Sequence, residues 1–207
     1  FIFTFFIVSS CEVVEGPYQN EINSNGSSET ILQKILIEDF TGHTCMNCPD
    51  AATELESIKE LYPNQVIGIA LHVGNTFARP LPPNSSNKYL TDFRTKWGEE
   101  IDSYFEVSSV GLPKGMINRK DEEPKSKDNW GNVVSEIINN SPLFDIDISA
   151  SSIVFGDCDI EVIVKALENV DGEYNIVIAI TEDSIVDWQK NGSYDDSVYV
   201  HNHVLLS

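Results

Sequence analysis

The stretch Lys34-Ile35-Leu36-Ile37-Glu38-Asp39-Phe40-Thr41-Gly42-His43-Thr44-Cys45-Met46-Asn47-Cys48-Pro49 decides how this chain is read. Its first half is a short β-branched run without glycine or proline, the pattern of a central strand. A turn follows, then two cysteines separated by two residues. Downstream, Ala51, Ala52, Leu55, Ile58 and Leu61 recur at helical spacing, with Asp50, Glu54, Glu56, Lys59 and Glu60 on the opposite face. Pro63-Asn64 ends that helix. Val66-Ile67-Gly68-Ile69-Ala70-Leu71-His72-Val73 is then a near-continuous apolar run, as in a strand covered on both faces. The order is strand, helix, strand, with the CxxC pair at the strand-to-helix junction.

At such a junction the two sulfurs reach each other across one helical turn, and unpaired backbone N–H groups with the helix dipole favour a thiolate. Pro49 constrains the local geometry, since a helix begun at Cys45 loses a backbone bond there. Either the helix starts nearer Asn47 or it is kinked. Chemically, the pair is a redox-active dithiol, an inert disulfide of an oxidising compartment, or half of a zinc knuckle for which no second CxxC exists.

Outward from this core, residues 74–87 (GNTFARPLPPNSSN) hold three prolines and read as an insertion or lid, with a helix expected from about Tyr89 to Phe105. The insertion spans about 74–106. Val110-Gly111-Leu112-Pro113-Lys114-Gly115-Met116-Ile117-Asn118 reads as a turn entering a strand. Trp130, Val133, Val134, Ile137 and Ile138 give another amphipathic helix, closed by Ser141-Pro142. After Pro142 the period changes from 3.6 to 2. Phe144, Ile146 and Ile148 alternate with polar residues, as do Ile160, Val162 and Val164, and Tyr174–Ile180 and Val198–Leu206 supply two further strands. Turns fall at Gly156-Asp157 and Asp171-Gly172. Residues 142–207 are therefore expected to form a small antiparallel β-sandwich, Ig-like and incomplete at its C-terminal edge.

At the other end, Phe1-Ile2-Phe3-Thr4-Phe5-Phe6-Ile7-Val8 is too short to span a bilayer and runs directly into Ser9-Ser10-Cys11, like the tail of a secretory signal peptide. The order Val8-Ser9-Ser10-Cys11 resembles a bacterial lipobox, which implies cleavage before Cys11 and its lipidation. A buried first strand with a core cysteine is the competing reading. Glu12 to Thr30, rich in Asn, Ser, Glu and Gly, reads as a flexible tether. The first residue, Phe1, and the apolar run at Ser207 lead us to expect a fragment lacking residues at both ends.

Composition bounds the partners. The 207 residues are 41% hydrophobic and 22% charged, an ordinary globular balance. Thirty-three acidic against 13 basic side chains give a formal charge of -20, which repels phosphate backbones and excludes nucleic-acid binding as a working hypothesis.

Ile37-Glu38-Asp39-Phe40-Thr41-Gly42-His43-Thr44-Cys45-Met46-Asn47-Cys48 resembles the active-site strand and helix of thioredoxins, including an acidic residue followed by Phe ahead of the first cysteine. Val110-Gly111-Leu112-Pro113 resembles the loop that carries the cis-proline of that superfamily. More narrowly, the lipobox, IEDFTGHTCMNCP, GLPKGMINR, the trailing β-domain and His201-Asn202-His203-Val204-Leu205 together resemble the outer-membrane protein 28 family of bacterial lipoproteins. The likeness spans nearly the whole chain. The CxxC departs from thioredoxin in lacking a preceding Trp and an internal Gly-Pro, and the interval from Cys48 to Pro113 is longer than in the minimal fold.

The resemblance implies an α/β thioredoxin-like domain over 31–141, a β-sandwich over 142–207, export, and an outer-membrane location through the lipid on Cys11. It implies Cys45 as attacking thiolate and Cys48 as resolving thiol, and no cofactor beyond that disulfide. Asp39 then accepts the Cys48 proton, or else is a strand-end carboxylate turned to water. An imidazolium at His43 holds Cys45 ionised, or His43 is simply exposed. Pro113 presents a cis backbone edge, or is a trans turn proline.

Cys158 is left over and is expected to be a buried free thiol. His201 and His203, two apart on one face of a strand, have metal spacing but no further ligands in view, so no metal is assigned. The acidic loops at Asp157/Asp159, Asp171/Glu173 and Asp195/Asp196 fit no EF-hand and read as solvated surface. Two functions follow. One is a thiol–disulfide oxidoreductase acting on exported proteins with thiols or disulfides. The other is a non-enzymatic binding or adhesion lipoprotein that uses the thioredoxin-like fold as a scaffold.

Overall fold

Seven residues of uninterrupted parallel pairing organise the fold: β1 (Ile35–Thr41) runs beside β2 (Val66–His72) in register from Ile35↔Val66 to Thr41↔His72. The computed structural model describes residues 31–84, 87–151 and 158–207. The expected signal remnant, Cys11, the tether and the Gly156-Asp157 turn lie outside the described residues. The chain groups into two compact units, Ile31–Leu143 with Asn169–Ser207, and a second whose described part lies within Phe144–Glu168.

In the larger unit, α1 (Cys48–Leu61) carries the chain from β1 to β2, and β3 (Lys114–Ile117) pairs antiparallel with the outer side of β1. On the far side of β2 lie β9 (Val204–Leu205), parallel to it, and β6 (Thr181–Glu182), antiparallel to β9. The sheet is mixed, in the order β3-β1-β2-β9-β6.

Both faces of β1 are covered, so residue parity sorts its side chains. Ile35 and Ile37 join Ala51, Leu55 and Ile58 of α1, together with Trp130, Val134 and Ile137 of α3 (Trp130–Ile137). Phe40 joins Leu71, Val73, Val107, Met116 and Leu205 on the other face, where Ile101 and Phe105 of α2 (Lys96–Phe105) pack. Asp39 has the parity of Ile35 and Ile37, and Glu38 that of Phe40. Each of these two acids is 2% exposed. Glu38 is compensated by a two-pronged pair with Arg119, at 2.7 and 2.9 Å.

The expected helix from Tyr89 begins instead at Lys96. The Asp92 carboxylate accepts from the Arg94 backbone and guanidinium, holding a turn, and Thr95 caps the helix by accepting from Gly98 N at 3.0 Å.

The segment expected as one sandwich is divided. β4 (Phe144–Ala150) and β5 (Ile160–Ala166) form an antiparallel hairpin in the smaller unit, with Ile146, Ile148 and Ile163 exposed. β7 (Ile185–Asn191) and β8 (Tyr194–His201) form a second hairpin, which belongs to the larger unit. Residues 173–180 form no ladder, although Ile180 N donates to Ser207 O at 2.7 Å. The single strand expected over Val198–Leu206 breaks at Asn202-His203. His203 sits at φ 58°, its amide donates to Asp183 Oδ1 at 2.6 Å, and its carbonyl accepts from Ala70 N at 2.7 Å. That turn hands the chain from the hairpin to the central sheet.

Gly115 of β3 lies under the buried Trp130 ring, where a Cβ would come within 2.4 Å of the indole. Gly131, on α3, has nothing nearer than 3.8 Å. We expect Gly115→Ala to cost about 1–3 kcal/mol by overpacking and Gly131→Ala to be stabilising by up to about 1 kcal/mol through helix propensity. Urea melts of the two variants should therefore move in opposite directions.

Candidate functional site

The Cys45–Cys48 pair sits in a loop clamped on both sides. Cys45 and Cys48 are joined in a disulfide, with Cα atoms 5.4 Å apart. Helix α1 starts at Cys48 with Asn47 at its N-cap, so Pro49 occupies the first turn, where its missing N–H is no loss. Of the two geometries open at Pro49, the helix takes the later start.

On one side the 74–95 insertion walls the loop. Thr44 donates from both N and Oγ1 to Phe77 O, at 3.0 and 2.9 Å. A Cβ on Gly42 would lie 2.5 Å from the Phe77 carbonyl carbon, so only glycine allows this approach. On the other side the β7–β8 hairpin grips the same loop. Lys190 N donates to His43 O at 2.7 Å and Gly192 N to Met46 O at 2.9 Å. The Gln189 amide donates to Cys45 O at 3.1 Å. As a result both cysteines are 2% exposed, while Met46 between them is 51% exposed.

The hairpin is itself anchored. Asp195 accepts from Lys88 (2.7 Å), Tyr89 (2.6 Å) and Lys190 (3.1 Å), and these bonds hold its carboxyl far below the usual range. Thr91 bonds Asp187 nearby.

Beneath the disulfide lies a cavity of about 400 Å³, lined by residues of β1, β2, α1 and the β7–β8 hairpin. Its buried floor includes Asp39, Thr41, Cys48, His72, Gln189 and His201, and its exposed rim includes Thr53, Val200 and Asn202. Asp39 Oδ1, His72 Nδ1 and His201 Nε2 are buried without a hydrogen-bond partner. Desolvation pushes the Asp39 carboxyl up to about 8, so it is mainly protonated at neutral pH. Burial moves the imidazoles the other way, His201 to about 4 and His72 well below its ordinary value. Burial also raises Tyr199 to about 12. The site stores neutral forms of groups that ionise in water.

His43 departs from expectation. It is 1% exposed and packs against Tyr89 and Phe93, and its Nε2–H donates to Arg79 O at 3.2 Å. Burial lowers its pKa, so the expected imidazolium is replaced by a neutral ring. Pro113 follows a cis Leu112–Pro113 bond and immediately precedes β3, at the end of the sheet where β1 feeds the CxxC loop.

His201 and His203 do not share a strand face. His201 ends β8, while His203 lies in the following turn, bridged to Glu56 (2.7 Å) and Asp183 (3.0 Å). Both nevertheless line the cavity. Cys158, expected to be buried, is exposed, with Sγ 3.1 Å from Ser151 O. Among the described residues no group of three or more His, Cys, Asp or Glu side chains is placed to hold a metal.

The sequence reading missed His72, Gln189 and Tyr199. A histidine ending an otherwise apolar central strand was the available signal for His72. Gln189 meets Gly42 across 147 residues, and nothing local announces it.

The buried acid and the buried bases act on stability in opposite directions. Asp39 holds a proton that the unfolded chain releases near pH 3.8, so its contribution declines as pH rises toward 8. His43, His72 and His201 refuse protons that the unfolded chain binds below about 6.5, so stability falls on acidification through that value. We expect a maximum near pH 6.5. Asp39→Asn should abolish the alkaline decline and gain about 2–4 kcal/mol at pH 7.5. Urea unfolding across pH 4.5–8.5 reads both limbs.

No family model matches the chain, and no curated protein matches it. Among solved structures, the chain is similar to the X-ray crystal structure of a protein from Agrobacterium tumefaciens, with 13% identity and a TM-score of 0.46 over 86% of this chain and 72% of that one.

Proposed function

We propose that Cys45–Cys48 is the working disulfide of a thiol–disulfide exchange protein with a thioredoxin-like body, carried on an exported lipoprotein anchored through Cys11 and acting on thiols and disulfides of the cell envelope. The observation that carries this reading is the placement of Cys48 and a protonated, unpartnered Asp39 around one cavity. A carboxyl that titrates near neutrality can give a proton to a departing Cys48 thiolate and take it back when Cys48 attacks. The parallel β1-α1-β2 unit and the antiparallel β3 after the Pro113 turn support the thioredoxin-like assignment. The antiparallel pairing within each of the β4–β5 and β7–β8 hairpins supports a β-rich C-terminal part, while β9 joins the sheet of β2.

Exchange reduces the disulfide in two steps. An incoming thiolate forms a bond to one cysteine sulfur and the other leaves with the electron pair. A second thiol then resolves the mixed disulfide.

A second reading has its own observation. Both cysteines are 2% exposed beneath the β7–β8 hairpin, which suits a structural staple in a binding or adhesion scaffold. Equilibration in graded thiol buffers, with Cys158→Ser to remove the free thiol, separates the two. Exchange predicts a midpoint of about -270 to -120 mV and loss of activity in Cys45→Ser with the fold intact. A pair that stays oxidised below about -300 mV leaves the scaffold.

A further inference from the structure

We infer that the β7–β8 hairpin is a hinged cap on the disulfide, and that its release, with the rest of the fold intact, is the route by which a partner reaches the pair. As regulation of an exchange site the inference rests on the exchange reading above. The motion itself is measured apart from that reading.

The hairpin is held by polar bonds and ring contacts rather than by the core. Neither apolar cluster of the larger unit takes a side chain from residues 185–201. The two buried side chains of the hairpin, Gln189 and His201, are polar, and Val186, Val198 and Val200 are exposed. Besides the clamps on the CxxC loop and the bonds gathered on Asp195, it is attached by the Thr91–Asp187 bond and by its rings. Trp188 meets Tyr89, and His201 meets His72 and Phe93. Segments with few buried apolar contacts open at the low end of the local stability range.

Both ends of the hairpin turn at the same place. β6 and β9 pair from Thr181↔Leu205 to Glu182↔Val204 and remain in the central sheet through β2. Just beyond them the two chains bend, at Ser184 (φ 64°) and His203 (φ 58°). The bends are cross-braced, Ser184 N donating to Asn202 Oδ1 at 2.9 Å and His203 N to Asp183 Oδ1 at 2.6 Å. A hinge needs only a few such residues at the ends of elements.

Closure leaves polar atoms unsatisfied, and opening hydrates them. The hairpin supplies Gln189, Tyr199, Val200 and His201 to the cavity wall, while Asp39 and His72 come from the central sheet. Asp39 Oδ1, His72 Nδ1 and His201 Nε2 are buried there without a partner, which disfavours the state that buries them. Water reaching these atoms offsets part of the cost of releasing the carbonyls of His43, Cys45 and Met46.

The test follows reduction of the full oxidised chain carrying Cys158→Ser by tris(3-hydroxypropyl)phosphine, read as an alkylation mass shift. This phosphine is neutral and reduces disulfides irreversibly, so its rate reports access to the pair rather than potential or local charge. Asp195→Asn weakens the latch to Lys88, Tyr89 and Lys190, whereas Val134→Ala weakens the core of α1 and α3. We expect Asp195→Asn to raise the reduction rate about tenfold and Val134→Ala to leave it unchanged while lowering the urea midpoint. Hydrogen exchange reads the same motion without any variant: amides of 185–201 should exchange ahead of those of 35–41, and faster still in Asp195→Asn. Reduction rates that follow the urea midpoints across the three chains, or that ignore Asp195→Asn, overturn the inference. Exchange of 185–201 no faster than that of 35–41 overturns it as well. Local opening over a pair that stays oxidised below about -300 mV overturns the exchange reading alone, and an exchanger's midpoint with reduction only through global unfolding overturns the cap alone.

Discussion

A carboxyl without a partner in the covered sheet is the constraint around which this protein is arranged. Strand β1 is covered on both faces, so all of its residues except Leu36 are buried, and parity sends Asp39 to the side of α1. Its neighbour Glu38 meets the same burial on the other face and is satisfied by Arg119. The contrast is informative because the two acids are adjacent and equally buried. One is neutralised by a guanidinium, as buried charges usually are. The other is left without a partner for Oδ1 and stays neutral by keeping its proton. Folding alone gains nothing from that arrangement, and strained or unsatisfied groups concentrate where chemistry needs them.

The β7–β8 hairpin determines what that chemistry can reach. It comes from the far end of the chain, yet it supplies a wall of the cavity and the amides that bind the CxxC loop. Its anchor is Asp195 of β8, which gathers Lys88 and Tyr89 from the insertion and Lys190 from the facing strand β7. Such pairs contribute modestly one by one. Together they fix the hairpin to the same insertion that braces Gly42 and Thr44, so the disulfide is held from two directions by segments remote in sequence.

Local pattern made the β1-α1-β2 unit legible, because β-branched runs and helical spacing are properties of neighbours. Pro49 and the CxxC pair marked the helix start within a residue or two. The β7–β8 hairpin was not legible: only its last four residues fall within an expected strand, and nothing in residues 185–197 announces their pairing or which unit covers them. Nor was the state of His43. A histidine in a turn reads as exposed until Arg79, Tyr89 and Phe93 arrive from the insertion. The turn at His203 was hidden for a similar reason: its positive φ is held by Asp183, and its carbonyl is pulled onto Ala70. The apolar letters on either side look like one strand.

The balance between burial and dipole decides how the disulfide can react. A helix N-terminus stabilises a nearby thiolate by roughly 0.3–1 kcal/mol at an exposed site, and here part of that field is already answered by Asp50 in the first turn of α1. Burial opposes ionisation, by up to 3–5 pKa units in fully buried groups. Both cysteines are 2% exposed, so burial works against the dipole for as long as the hairpin is in place. A charged thiolate carried into this site pays the same penalty. The neutral histidines and the protonated Asp39 follow the same rule, each taking the uncharged form that burial favours.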